Sequence, residues 1–491
     1  MISAFDNFPA LLIWLPLAGG LAAFFMKDEK SAKTWALFSS IVTLILMGAS
    51  LLYTENKYFA LNQVSYYWLR DLGSSFAFSL DGMSRILCLL TSISFPLIIA
   101  STWNTRYHQP NMFYGLMLLA QCGLMGVFMA TDALVFYFFW ELALIPVYFL
   151  ASQWGGERRI QAAFKFFIYT FAGSLLMLIG ILYIYLKTSG PSFSMASFYS
   201  VGLTPQEQAW LFWLFFVAFA IKMPVFPFHT WQPDAYEQST TAVTMVLSGV
   251  MVKMGVFALI RWLLPLFPDA VAKFDNIVIG LSVTGMVYAS LIAMRQDDLK
   301  RLIAYSSIAH IGLMSAAVFT VEHDAMQGVL IQMFNHGVNI IGMWIVVELI
   351  ERETGVRRIS ELGGIARKAP VLTILLVVIA LANVALPLTN AFVGEFLMFN
   401  GLFRFSPWYA AFAGLSIILS AVYTLNMIRN VFLGNTNSLT EKFREITMEQ
   451  RLILSVIVVL VFMVGVFPGP MFQLLDLVSE NIIRKVAHKQ P

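Results

Sequence analysis

Apolar stretches of 18 residues or more follow one another along almost the whole chain, from PALLIWLPLAGGLAAFFM near its start to LILSVIVVLVFMVGVFPG near its end. Each is long enough to cross a hydrocarbon core of about 30 Å as a helix. In lipid a single segment must satisfy its own backbone amides, and a helix does so. The pattern therefore restricts the chain to an all-α polytopic membrane protein. About fourteen spans are expected, near residues 9–26, 34–53, 82–103, 111–130, 132–152, 160–187, 208–230, 239–262, 275–293, 300–320, 326–350, 370–400, 408–432 and 452–478.

The remaining sequence excludes several classes. Only 12% of the 491 residues are charged, about half the share of a soluble domain. The longest connections, around 54–80, 188–207 and 433–451, are loops rather than domains. The first stretch follows no basic residue and precedes no clean cleavage site, so it reads as a retained helix. Cys88 and Cys122 both fall in spans and no CxxC occurs, which leaves neither a cysteine-ligated cluster nor a disulfide scaffold. A net charge of +3, dispersed over the loops, suggests no nucleic-acid partner. Basic residues orient the chain. With the N-terminus outside, the inner loops hold nearly twice the Lys and Arg of the outer ones, including Arg158, Arg159, Arg295 and the group from Arg352 to Lys368. Both termini are then on the outer side.

Ionisable residues inside spans are costly in lipid, so each is a functional candidate. In FYFFWELALIPVYFL, Glu141 lies nine residues beyond the boundary residue Asp132, a rise of about 13.5 Å and close to mid-membrane. Lys222 in FAIKMPVFPF, Lys253 in LSGVMVKMGVFALIRW, His310 in SSIAHIGL, His336 in FNHGVNIIG and Glu395 in NAFVGEFLMF sit comparably deep. Each has a static reading. Glu141 and Lys222 could form a fixed buried ion pair, Lys253 could snorkel, either histidine could be a satisfied core residue, and Glu395 could simply bond Asn390. Six such coincidences at one depth are less expected than one charge pathway. Burial disfavours the charged form of Lys and Glu, and an opposite charge restores it. A lysine beside an ionised glutamate holds its proton, and one drawn away releases it. Histidines can hand protons on near neutral pH.

Two of these residues adjoin prolines. Pro224 and Pro227 are expected to interrupt the seventh span just after Lys222, and Pro387 the twelfth just before Glu395. Discontinuous helices with an ionisable residue at the break, in matching places of two halves, point to a transporter built from repeats. Lys222 would lie at the negative end of its half-helix, which favours a cation. Pro146 reads as an ordinary kink. The expected organisation is 1–110 (helices 1–3), 111–262 (first inverted repeat, helices 4–8), 270–432 (second, helices 9–13) and 433–491 (linker and helix 14).

The stretches FSLDGMS, FWELALIPVYFL, AIKMPVFPFHTWQPDAY, DDLKRLIAYSSIAHIGLM, FNHGVNIIGMW and NVALPLTNAFVGEFLMFNG, together spanning about 78–401, resemble the antiporter-like subunits of respiratory complex I, in their chain M type. The resemblance implies that Glu141 is the fifth-helix glutamate, Lys222 and Lys253 the seventh- and eighth-helix lysines, His310 and His336 the central histidines, and Glu395 the twelfth-helix terminal residue. Glutamate at that last place separates chain M from chains L and N and from sodium/proton antiporters, which usually carry lysine. Tyr236 departs from the histidine of many relatives. The family also implies redox-driven proton pumping, with NADH, FMN, iron–sulfur clusters and quinone in partner subunits and no cofactor in this chain. The neighbours implied are the L- and N-type chains in a bacterial cytoplasmic membrane. An Mrp-type cation/proton antiporter subunit, the equivalent chain of a membrane hydrogenase or photosynthetic complex, and a passive helical scaffold are the rival readings.

Overall fold

The structure, a computed structural model, describes residues 7–53 and 62–487. Seventeen long helices dominate it: α1 (Phe8–Ala23), α2 (Glu29–Ser50), α3 (Gly82–Ser101), α4 (Pro110–Met129), α5 (Ala133–Gln153), α6 (Arg159–Lys187), α7 (Pro205–Lys222), α8 (Trp231–Gln238), α9 (Thr241–Leu266), α10 (Pro268–Ala293), α11 (Leu299–Val318), α12 (His323–Thr354), α13 (Pro370–Asn383), α14 (Asn390–Phe405), α15 (Pro407–Phe432), α16 (Met448–Val466) and α17 (Gly469–Ala487). Among the described residues, eleven helices are long and apolar enough to cross a membrane, while α1 and α13 are apolar but shorter. The all-α polytopic architecture read from the sequence is the one observed.

The helix breaks fall at the prolines. α7 stops at Lys222, and eight residues of turn and coil, including a cis Phe226–Pro227 peptide, precede the next helical residues. α13 stops at Asn383, and α14 restarts at Asn390, past Pro387. By contrast α5 runs through Pro146 unbroken. Two expectations need correction. The span expected at 452–478 is two helices, because Pro468 removes an amide donor where α16 would continue, and Gly469 starts α17. The loop expected at 54–80 holds an antiparallel hairpin, β1 (Gln63–Leu69) with β2 (Ser74–Ser79).

Asp132 shows how that hairpin is held. Its carboxylate caps α5 by accepting the Leu134 and Val135 amides at 3.0 and 3.1 Å, and it also accepts Ser74 Oγ and the Ser75 amide of β2, both at 3.0 Å. Burial pushes the Asp132 carboxyl above the usual range, against these four bonds that favour its charge.

The chain divides into two compact units. The first comprises Met1–Met223, Val250–Phe274 and Glu480–Pro491, and the second Pro224–Gly249 and Asp275–Ser479. In the first, α4 packs between α1 and α5, and α6 packs between α5 and α7. In the second, α12 is the central element, buried along its whole apolar window, with α11, α13, α14 and α16 packed on it. Gly394 permits the α12–α14 approach: a Cβ there would meet Gln332 Oε1 at 2.6 Å and the Gly328 carbonyl at 3.0 Å.

Candidate functional site

In the first unit Lys222 occupies the last turn of α7, where terminal carbonyls leave a partial negative charge. Its side chain is 1% exposed, and Nζ has no hydrogen-bond partner among the described residues. Aromatic faces surround it instead: Nζ lies 5.5 Å from the Trp140 ring centroid and 6.0 Å from that of Phe166. Cation–π attraction at such distances is worth about 0.5–2 kcal/mol. Glu141, the residue after Trp140, is half-buried in the middle of α5, with Ser174 of α6 beside it. Its Oε1 is unpartnered among the described residues, and no direct ion pair joins it to Lys222. A fixed Glu141–Lys222 bond is therefore not how this unit is held together.

Lys253, also in the first unit, is fully buried in α9. Two π-helical turns, Leu247–Met251 and Leu259–Leu263, bracket it. Such turns widen a helix by one residue and recur at functional sites. Gly255, two residues on, has no room for a side chain: a Cβ would stand 2.7 Å from both Met223 Cβ and the Phe219 carbonyl. Glycine thus lets α9 press against the end of α7 that carries Lys222.

The second unit gathers the other three residues. His310 of α11 and Glu395 of α14 meet at 3.0 Å, Nδ1 to Oε1. Gln332 of α12 donates Nε2 to the same Oε1 at 3.2 Å, and the His310 and His336 rings lie 5.4 Å apart. All four are buried. A small pocket borders His310 and Glu395, with Ser416, Ser420 and Tyr423 of α15 on its wall. Glu395 does not bond Asn390. That residue instead pins the start of α14 to α12: Asn335 Nδ2 donates to its carbonyl at 2.7 Å, and the Asn339 and Asn390 amides exchange two bonds of 3.0 Å. Replacing Asn390 with alanine leaves Asn339 without these bonds. The expected loss is about 1–3 kcal/mol, read as earlier thermal dissociation of this subunit from its complex.

Sequence reasoning passed over Gln332, Trp140 and the π-helical turns. Gln332 falls four residues before His336 in LIQMFNHGVNIIG, on the same face of α12, which was the available signal. In the letters Trp140 stands out only as the neighbour of Glu141, and nothing around Lys253 marks a π-helical turn. Among the described residues no group of three or more His, Cys, Asp or Glu side chains could hold a metal ion.

An all-α membrane protein with ionisable side chains buried beside interrupted helices has the build of an ion-translocating carrier. The chain belongs to the NADH:quinone oxidoreductase/Mrp antiporter transmembrane family, whose description matches residues 130–420. It is 34% identical to NADH-quinone oxidoreductase subunit M of Rickettsia prowazekii (strain Madrid E) over 487 residues, covering 97% of this chain and 98% of the relative. It is 35% identical to F(420)H(2) dehydrogenase subunit M of Methanosarcina mazei, with 97% and 98% covered. A chain of respiratory complex I from Thermus thermophilus with bound NADH superposes with a TM-score of 0.91 at 29% identity, covering 97% of this chain and 99% of that one.

Proposed function

We propose that Glu141, Lys222, Lys253, His310, His336 and Glu395 relay protons, with Glu141 setting the charge of Lys222 and Glu395 ending the path. The chain is an antiporter-like, proton-translocating membrane subunit of NADH:quinone oxidoreductase, working with other membrane subunits of complex I. Electron transfer belongs to those partners, and this chain contributes the path for protons. Its immediate neighbours are the L- and N-type chains, and it lies in a bacterial cytoplasmic membrane with both termini outside. Residues 111–262 and 270–432 act as two inverted repeats, each interrupted once, after Lys222 and after Asn383.

The observation that carries the relay is Lys222, a buried ammonium at a helix break without a hydrogen-bond partner among the described residues. A lysine kept for structure needs bonds that offset its desolvation, and one kept for exchange needs freedom to change partner. Expelling one charge against about 150 mV costs about 3.5 kcal/mol. Losing or gaining a neighbouring charge in a poorly solvated site changes a proton's binding energy by a comparable amount.

Glu141→Ala tests the coupling. In the intact complex reconstituted into vesicles, it is expected to assemble and to lower proton pumping and coupled quinone reduction severalfold. Pumping at the parent ratio of protons to electrons in that variant rejects the relay in favour of a scaffold.

A further inference from the structure

In the first unit α4 crosses beside the relay without adding a charge to it: residues 110–129 include no Asp, Glu, Lys, Arg or His. Midway along this helix, in the apolar run LMLLAQCGLMGVF, stands Gln121, which is fully buried. Its amide offers two donors and an acceptor. Yet neither Oε1 nor Nε2 has a hydrogen-bond partner among the described residues. A buried polar group left so costs about 1–3 kcal/mol, a cost that leucine at the same place would avoid. Native interiors resolve it with ordered water.

The packing of α4 puts this amide on the side of Lys253. α4 lies on the Lys253–Ala258 segment of α9, where the Phe128 and Phe257 rings meet edge to face at 5.5 Å. Gln121 precedes Phe128 by seven residues and Lys253 precedes Phe257 by four, so each shares a helix face with its aromatic neighbour. The two helices also run in the same direction. α5 opposes α4, with Ala143 against Gly123 and Phe139 against Gly126. α6 opposes α5, with Phe167 against Tyr148 and Ser174 against Tyr137. α7 opposes α6, with Phe215 against Gly180 and Ala218 against Gly173. α9 in turn opposes α7, with Phe267 against Phe215 and Gly255 against Met223. Measured back from the aromatic contact, Gln121 therefore lies about 10 Å along its helix and Lys253 about 6 Å along its own. A helical lysine leans toward the N-terminus, which carries the Lys253 ammonium toward the depth of Gln121.

We propose that Gln121 is a positioning residue for Lys253: its amide oxygen fixes an ordered water that accepts a hydrogen bond from the ammonium, and so favours the protonated lysine. This role rests on the proton-translocating reading of the chain. The charged groups on the other elements packed against the segment are cations. Lys222 ends α7, whose Met223 touches Gly255, and Arg261 lies in the π-helical turn that follows, paired with Asp81 at 2.6 Å. Both cations repel an ammonium. A neutral acceptor offsets part of that repulsion without trapping the proton as a carboxylate would.

The pH profile of proton pumping by the intact complex in vesicles tests the assignment. Gln121→Met keeps the length of the side chain and removes both amide atoms. It is expected to assemble and to move the alkaline limb of the profile about one pH unit toward acid, because a lysine without its acceptor loads only at lower pH. A severalfold loss of pumping in alkaline medium is then recovered in mildly acid medium. Gln121→Glu keeps an acceptor in place and is expected to move the limb to higher pH; it serves alone where the methionine variant does not assemble. A limb unmoved in the assembled variants overturns the assignment, as does a uniform loss at every pH, which a merely structural role would give. Lys253→Met separates this result from the relay. Loss of pumping there, with a parental profile in Gln121→Met, rejects Gln121 alone, whereas parental pumping by Lys253→Met rejects the relay and the part of Gln121 in it.

Discussion

Replacing Lys222 with methionine is expected to lower proton pumping and coupled quinone reduction by roughly tenfold or more, at least about 1.4 kcal/mol on the limiting step, while the complex still assembles. The two halves of this result have separate causes. Assembly survives because the ammonium has no hydrogen-bond partner among the described residues, so its removal leaves none of them orphaned. Methionine has nearly the length of lysine, and its thioether packs well against the Trp140 and Phe166 rings that now face Nζ. Pumping fails because no group that can change charge remains at the break. Blue-native electrophoresis reports assembly, and a pH-sensitive dye in vesicles reports pumping. A variant that assembles and pumps within twofold of the parent would remove Lys222 from the path.

Glu395 allows a sharper separation, because two substitutions divide its roles. Glu395→Gln keeps an oxygen for Gln332 Nε2 and a group of the same size beside His310 Nδ1, but it cannot take up a proton. It is expected to leave stability nearly unchanged and to cut pumping roughly tenfold, again about 1.4 kcal/mol. Glu395→Leu also strands Gln332 Nε2 and His310 Nδ1 in the interior, at about 1–3 kcal/mol for each unsatisfied group. It is expected to lose both pumping and thermal stability. Equal, mild effects of the two would make Glu395 a structural acceptor and nothing more.

The parts of this architecture that the letters revealed are those with a strong local cause. Pro224, Pro227 and Pro387 end helices by removing donors and clashing with the preceding turn, so the interruptions beside Lys222 and Glu395 could be placed from sequence. Partners were another matter. Glu395 bonds His310 from 85 residues away and Gln332 from 63, and nothing local distinguished these from Asn390, which instead locks α14 onto α12. Glu141 and Lys222 suggested a bonded pair by opposite sign, yet the lysine's surroundings are aromatic. The hairpin after α2 depends on Asp132, which lies more than fifty residues further on. The break at Pro468 was readable by the rule that located the others, but the apolar run on both sides outweighed it.

The bond between His310 and Glu395 has a further consequence for any traffic through it. The imidazole has Nδ1 committed to the carboxylate and Nε2 without a partner among the described residues. A proton that arrives at Nε2 and departs from Nδ1 leaves the ring in the opposite tautomer. The next proton then finds the entry nitrogen already occupied. Before a second transfer the ring must rotate, or Nε2 must give up its proton along another route. For protons routed through it, such a ring would act as an escapement, passing one proton per reset.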